Sequence, residues 1–149
     1  MRWIRNSLTF LLLLAGCGRT GPATPPSPTV APQAPTVAER LAELAAATLA
    51  ADVLADQADT VFLPEADVIA DGRRRNAAPR FAGVEAGGQV VVGSTRVDLA
   101  GNFAWALVEY RWMAPGQDRI REGRATLVFV PRVGGAGWLI AAAHSSEVR

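Results

Sequence analysis

Apolar residues along this chain fall into three successive patterns, and each dictates a different structure. Residues 8–15 form a short apolar run, residues 37–54 carry apolar side chains at three- and four-residue steps, and from Thr60 onward apolar and polar positions tend to alternate. The first run is too short to span a bilayer, which takes about 20 residues. The second is helical. Thr36-Val37-Ala38-Glu39 is a capping-box pattern, in which the Thr hydroxyl and Glu carboxylate satisfy free amides of the first turn. Val37, Leu41, Leu44 and Thr48 line one stripe, and the alanines between 42 and 58 favour helix. Leu49, Val53 and Leu54 leave that stripe, so the segment is one helix buried on a broad face or two with a bend near residue 50, ending near Asp59.

Strand grammar follows. Thr60–Leu63 and Ala66–Ile69 flank a turn-like break at Pro64-Glu65, and Asp71-Gly72 closes the second piece. Longer strands are predicted over Gln89–Leu99, Asn102–Met113, Arg119–Val130 and Gly137–Ser146. Their separators, Ala100-Gly101, Ala114–Asp118 and Gly134-Gly135, are short enough for successive antiparallel hairpins. A helix followed by a strand meander is an α+β domain, with the helix packed on one face of a curved antiparallel sheet.

In this order the pieces resemble the nuclear transport factor 2-like superfamily in its SnoaL-like branch, over residues 37–146. The most specific part is Arg121 to Val130 followed by Gly137-Trp138-Leu139-Ile140 running into His144-Ser145-Ser146; Phe62-Leu63-Pro64 fits the point where such chains enter their sheet. The resemblance implies a cone whose sheet curls around a cavity. Different members use the cavity for isomerisation, dehydration, hydrolysis, ligand binding or dimer assembly, so fold does not settle activity. Arg73–Gly88, where many members carry a further helix, is rich in Gly, Ala and Arg and reads as loop.

Ahead of the domain, Arg2 and Arg5 precede the apolar run, which ends in Leu14-Ala15-Gly16-Cys17. This resembles the lipobox of bacterial lipoproteins. The resemblance implies a signal peptide over 1–16, cleavage before Cys17, and lipid on that cysteine. Cys17 is the single cysteine of the chain, and lipidation would remove a thiol that an oxidising compartment leaves exposed to reaction. Gly18 follows, with no Asp of the kind that retains lipoproteins at the inner membrane, which points to the periplasmic face of the outer membrane. From Arg19 to Pro35 the chain is dominated by Pro, Thr, Ala and Ser, so 17–35 reads as a lipidated residue and disordered tether. The domain occupies 36–149.

Charge makes no electrostatic case for nucleic acid, and none is expected as a partner. With the signal removed, basic residues fall from 15 to 13 against 14 acidic ones, and all are Arg. Arg73-Arg74-Arg75 with Arg80 is the one local basic cluster, and it reads as a solvated loop.

His144 is the sole histidine and Tyr110 the sole tyrosine, which makes them the candidates for acid–base work. Alternation places His144 on one face with Trp138, Ile140, Ala142 and Ser146. On the preceding strand, Ala104, Ala106 and Val108 lead to Tyr110 and Trp112, leaving room for a flat apolar ligand with a phenol at its edge; Phe103, Trp105, Leu107, Glu109 and Arg111 occupy the other face. Tyr110, Trp112, Trp105, His144 and Ser146 are the ligand-pocket candidates. Alternation also puts Asp98 with Arg96, Glu109 with Arg111, and Glu122 with Arg124, as surface ion pairs more than an acid and a base. No metal-ligand spacing, nucleophile elbow or phosphate loop is present, Gly87-Gly88 being a turn signal. No cofactor is expected.

The sequence thus leaves three functions open: a membrane-anchored domain that binds a small apolar molecule or a protein, including a second copy of itself; a small-substrate enzyme using His144 and Tyr110; or a structural envelope protein with a filled cavity. Cys17→Ser is expected to shift the protein from the membrane pellet to the soluble periplasmic fraction; a variant that still pellets counts against the lipid anchor.

Overall fold

The computed structural model describes residues 34–54 and 59–148. The expected signal segment, Cys17 and the expected tether through residue 33 lie outside the described residues, as do 55–58, toward which the helix was expected to continue.

Helix α1 spans Val37–Asp52. Its start is the expected capping box: the Glu39 amide donates to Thr36 Oγ1 at 3.2 Å, and the Thr36 amide donates to Glu39 Oε2 at 2.6 Å. Leu41, Ala45, Thr48, Leu49 and Asp52 are buried, so the stripe is broad and takes in Leu49. Among the described residues there is one such helix, and it ends well before Asp59.

The strands are β1 (Phe62–Ala70), β2 (Arg73–Arg74), β3 (Gln89–Ala100), β4 (Phe103–Met113), β5 (Arg121–Pro131) and β6 (Trp138–Glu147). They form one sheet in the order β2-β1-β6-β5-β4-β3. The three hairpins from β3 to β6 are antiparallel as expected, whereas β1 pairs with β6 in parallel, so the sheet is mixed. The cause is topological. The chain enters near one edge, crosses to the far edge through residues 75–88, and returns by the meander, so that β6 arrives beside β1 pointing the same way.

Two further expectations change. Pro64-Glu65 does not break β1, which runs through it; the β1–β6 register shifts between Phe62 and Asp67, so Pro64, lacking an N–H, sits where the ladder is irregular. Arg73 and Arg74 are strand instead of loop, turned back on β1 by Asp71-Gly72, both with positive φ.

α1 packs on β3 and β4. The inner face of the sheet is closed with side chains: Ala106, Val108, Tyr110, Leu127, Phe129 and Ile140 are at most 1% exposed. Residues 75–88 close the remaining side, placing Phe81 and Val84 in the same core, with Ala82 buried between them. The room expected for a flat ligand is therefore occupied. Ala104 and Ala106 allow the helix to approach, and the two aromatics beyond them fill spaces left by glycines. Gly123 stands opposite Tyr110 across the β4–β5 ladder, and a Cβ there would meet the phenol ring, its oxygen at 2.6 Å. Gly83 leaves the same allowance for the Trp112 indole.

Gly123→Ala is expected to cost about 1–3 kcal/mol, the range for overpacking a filled core. A lower urea midpoint at unchanged slope would show it; an unchanged midpoint would mean that the ring has space to move.

Candidate functional site

The crossing segment 75–88 has little regular structure, yet it is buried at its centre, so its backbone polar groups need partners. Two latches supply them. On the helix side, Asp52 at the end of α1 is fully buried and accepts from the Arg80 amide at 2.8 and 2.7 Å and from the Phe81 amide at 2.9 Å. Burial pushes the Asp52 carboxyl above its ordinary range, and the amides of Phe81 and Arg80 oppose that shift. On the sheet side, Tyr110 Oη donates to the Ala82 carbonyl at 2.7 Å, and the Ala82 amide donates to Ser145 Oγ at 2.9 Å. Burial first, then the negative charges of Asp71, Asp52 and Glu147, hold the Tyr110 hydroxyl well above the usual phenol range, with the Ser145 side chain opposing that shift. Tyr110 thus stays neutral, and its proton is committed to the chain's own backbone.

Arg80, expected in a solvated basic cluster, is buried in this segment, with its guanidinium 4.5 Å from the Phe62 ring centre and Nη2 donating to the Asn76 carbonyl at 3.4 Å. Neither Asp52 nor Ser145 carries a local sequence signal: their partners lie 28 to 63 residues away.

His144 does not share a face with Ile140. The β5–β6 register passes from Phe129 opposite Ile140 to Val128 opposite Ala142, leaving Ala141 as an extra residue. That bulge reverses the alternation beyond it. Ala143 and Ser145 turn inward, and His144 and Ser146 are exposed outside. The structure therefore brings together Tyr110, Ser145 and the Ala82 backbone, and it sets His144 across the sheet from the phenol. Trp112 is buried inside, its ring 5.0 Å from the Arg121 guanidinium; Trp105 is half-buried on the outer face. Among the described residues no group of three or more His, Cys, Asp or Glu side chains could hold a metal ion.

The outer face divides in two. One half carries most of the apolar side chains: Phe103 and Leu107 are 42% and 38% exposed, Trp105, Val128 and Val130 are half-buried beside them, and Arg96 and Asp98 of β3 stand opposite Leu107 and Trp105. The other half is charged. Glu109 and Arg124 stand directly opposite and pair at 3.1 Å, and Arg111 and Glu122 do so at 3.4 Å. These pairs run across strands, where opposed side chains are nearest, instead of along them as alternation suggested; only Arg96–Asp98 pairs along its strand, at 3.1 Å. Backbone of Gly93, Tyr110 and Gly123 underlies a shallow groove of about 160 Å³ between the charges.

No family model matches the sequence, and no curated protein matches it. Solved structures do match its fold. A nuclear transport factor 2-like superfamily protein from Salmonella enterica serovar Typhimurium superposes with a TM-score of 0.61 at 21% identity, over 74% of this chain and 89% of that one. The S. rosetta CaMKII hub gives 0.57 at 16% identity, over 78% and 100%. An uncharacterised Caulobacter vibrioides protein with a cystatin-like fold gives 0.50 at 16% identity, over 74% and 89%. The chain accordingly has the nuclear transport factor 2-like fold, as one helix on a six-stranded mixed sheet.

Asp52→Asn is expected to lower stability by about 2 kcal/mol, because an amide cannot serve both buried N–H groups without opposing one of them. The Asp52 carboxyl titrates higher in the folded than in the unfolded chain, so the folded state takes up a proton first. Stability of the parent relative to Asp52→Asn should then rise as pH falls from the raised folded value toward about 3.9, and be flat on either side. Urea unfolding of both proteins from pH 8 to 3 measures it; a difference that shrinks on acidification would reverse the assignment.

Proposed function

We propose that this chain is a membrane-tethered interaction domain of the bacterial cell envelope, carried by lipid on Cys17 at the periplasmic face of the outer membrane and self-associating through the outer face of its sheet. The SnoaL-like strand ending at His144-Ser145-Ser146 supports placement in that branch of the fold. The observation that carries the interaction reading is the contrast between the faces: the interior is full, and exposed Phe103 and Leu107 extend a half-buried apolar band on the outside. Large apolar side chains left contiguous on a sheet face mark contact surfaces more than chance exposure. A structure named as a hub shares the fold, which supports the interaction reading. An enzyme built on His144 and Tyr110 would need both at one site, and here the sheet lies between them with the phenol proton already bonded.

Sedimentation equilibrium should show the protein self-associating in the micromolar range, and Leu107→Glu, which puts a charge into the apolar half, should weaken that association at least about tenfold, a cost of about 1.4 kcal/mol. Association unchanged by Leu107→Glu would remove this face from the interface.

A further inference from the structure

The two ends of the sheet differ in chemistry, and the chain enters the domain at one of them. Strands β3 to β6 alternate in direction, so the β3–β4 hairpin around 100–103 and the β5–β6 hairpin around 131–138 close at the same end, with the β4–β5 connection at the other. Helix α1 shows which end the chain enters. Its last turn is tied beside the start of β3, where the Gly87 amide donates to the Val53 carbonyl at 2.9 Å, and the helix packs along β3. Its 16 residues extend about 24 Å. Thr36 and Ala34 therefore lie toward the far end of β3, where the two hairpins close.

That end is apolar. Val133, in the second hairpin, is fully exposed, and Leu99 and Phe103 of the first are 54% and 42% exposed. Leu99 stands opposite the buried Ala104 and Phe103 opposite Ala100, so the two point to opposite sides of the sheet and the apolar surface wraps its end. Trp138 is half-buried opposite Pro131. Residues 99–104 and 129–140 include no acidic side chain and one basic one, Arg132, exposed beside Val133. The next charges along β3, Arg96 and Asp98, pair with each other at 3.1 Å, and Glu39 at the helix start is engaged in the capping box. Glu65 stands three residues inside β1. The opposite end is charged, with Asp71, Arg73, Asp118 and Arg119 exposed.

We propose that the hairpin end docks on the lipid surface, an inference that rests on the Cys17 anchor proposed above. Leu99, Phe103 and Val133 enter the boundary between headgroups and acyl chains, to a depth of about 5–10 Å. Arg132 meets anionic headgroups, and Trp138 lies at headgroup level, where aromatic rings concentrate. The chain from Cys17 to Ala34 reaches at most about 60 Å, so an anchored domain stays near the bilayer, and docking becomes an intramolecular event that a weak contact can sustain. Phe103 also belongs to the band assigned to self-association; Leu99 and Val133 lie outside it and carry the test.

The mature lipidated protein, whose Cys17 sulfur is blocked by lipid, is reconstituted in vesicles of phosphatidylethanolamine and phosphatidylglycerol. An environment-sensitive fluorophore is placed at the hairpin end in Val133→Cys and at the opposite end in Ile120→Cys, both fully or largely exposed positions where a label leaves the core intact. The label at 133 should emit at shorter wavelength than the label at 120 and be quenched by brominated acyl chains, while the label at 120 is not. Adding Leu99→Glu should return the emission at 133 toward that at 120, with the protein still floating with the vesicles. Protein that floats while both labels emit alike overturns the docking and leaves the anchor. Protein that does not float overturns the anchor and the docking with it. A shift that fades as the protein is diluted among vesicles assigns the apolar end to a second copy instead of lipid.

Discussion

The architecture depends on how an irregular segment is held inside a core. A buried peptide without helix or strand has to find partners for its polar groups, or each unpaired one costs about 1–3 kcal/mol. Here the partners are supplied from both layers, Asp52 from the helix and the Tyr110–Ser145 pair from the sheet, with Phe81 between them. Once this segment is fixed, the rest follows. Among the described residues the inner face of the sheet is buried under this segment and the helix, and the aromatic residues of β4, Tyr110 and Trp112, become packing.

The local features of this fold were legible in the residues. The capping box at Thr36 and Glu39 acts over three residues, and the hairpin separators act over a few more, so propensity and short-range hydrogen bonds decide them. The features that escaped are non-local or one residue in size. Nothing near Asp52 announces that its carboxylate will receive two amides from a loop 28 residues on. The parallel β1–β6 pairing is a property of chain routing. Pro64 signals a break by its chemistry, but a ladder that is already irregular there needs no donor from it.

The candidate site shows the same division. Alternation correctly separated Tyr110 and Trp112 from Trp105 and Leu107 on β4, since that strand is regular from end to end. It misplaced His144 because β6 is not. It also grouped the charged residues correctly by face while assigning Glu109 and Glu122 to neighbours along the strand; which strand lies beside β4, and in what register, is needed before the cross-strand partners Arg124 and Arg111 can be named. The basic cluster failed for a further reason: Arg80 looks like its exposed neighbours in composition, and only the fold shows that it is buried with its guanidinium over the Phe62 ring.

Ala141 carries a consequence of its own. By standing outside the β5–β6 ladder it sets the phase of the final strand, and every side chain after it is sorted by that single residue. Were Ala141 paired within a regular ladder, alternation from Ile140 would turn His144 and Ser146 toward the phenol and send Ser145 out to solvent, exchanging a structural tie for an ionisable group beside Tyr110. The last strand is thus written in two possible frames, one that closes the interior and one that would furnish it with a base, and the protein is held in the first by one residue left out of the β5–β6 register.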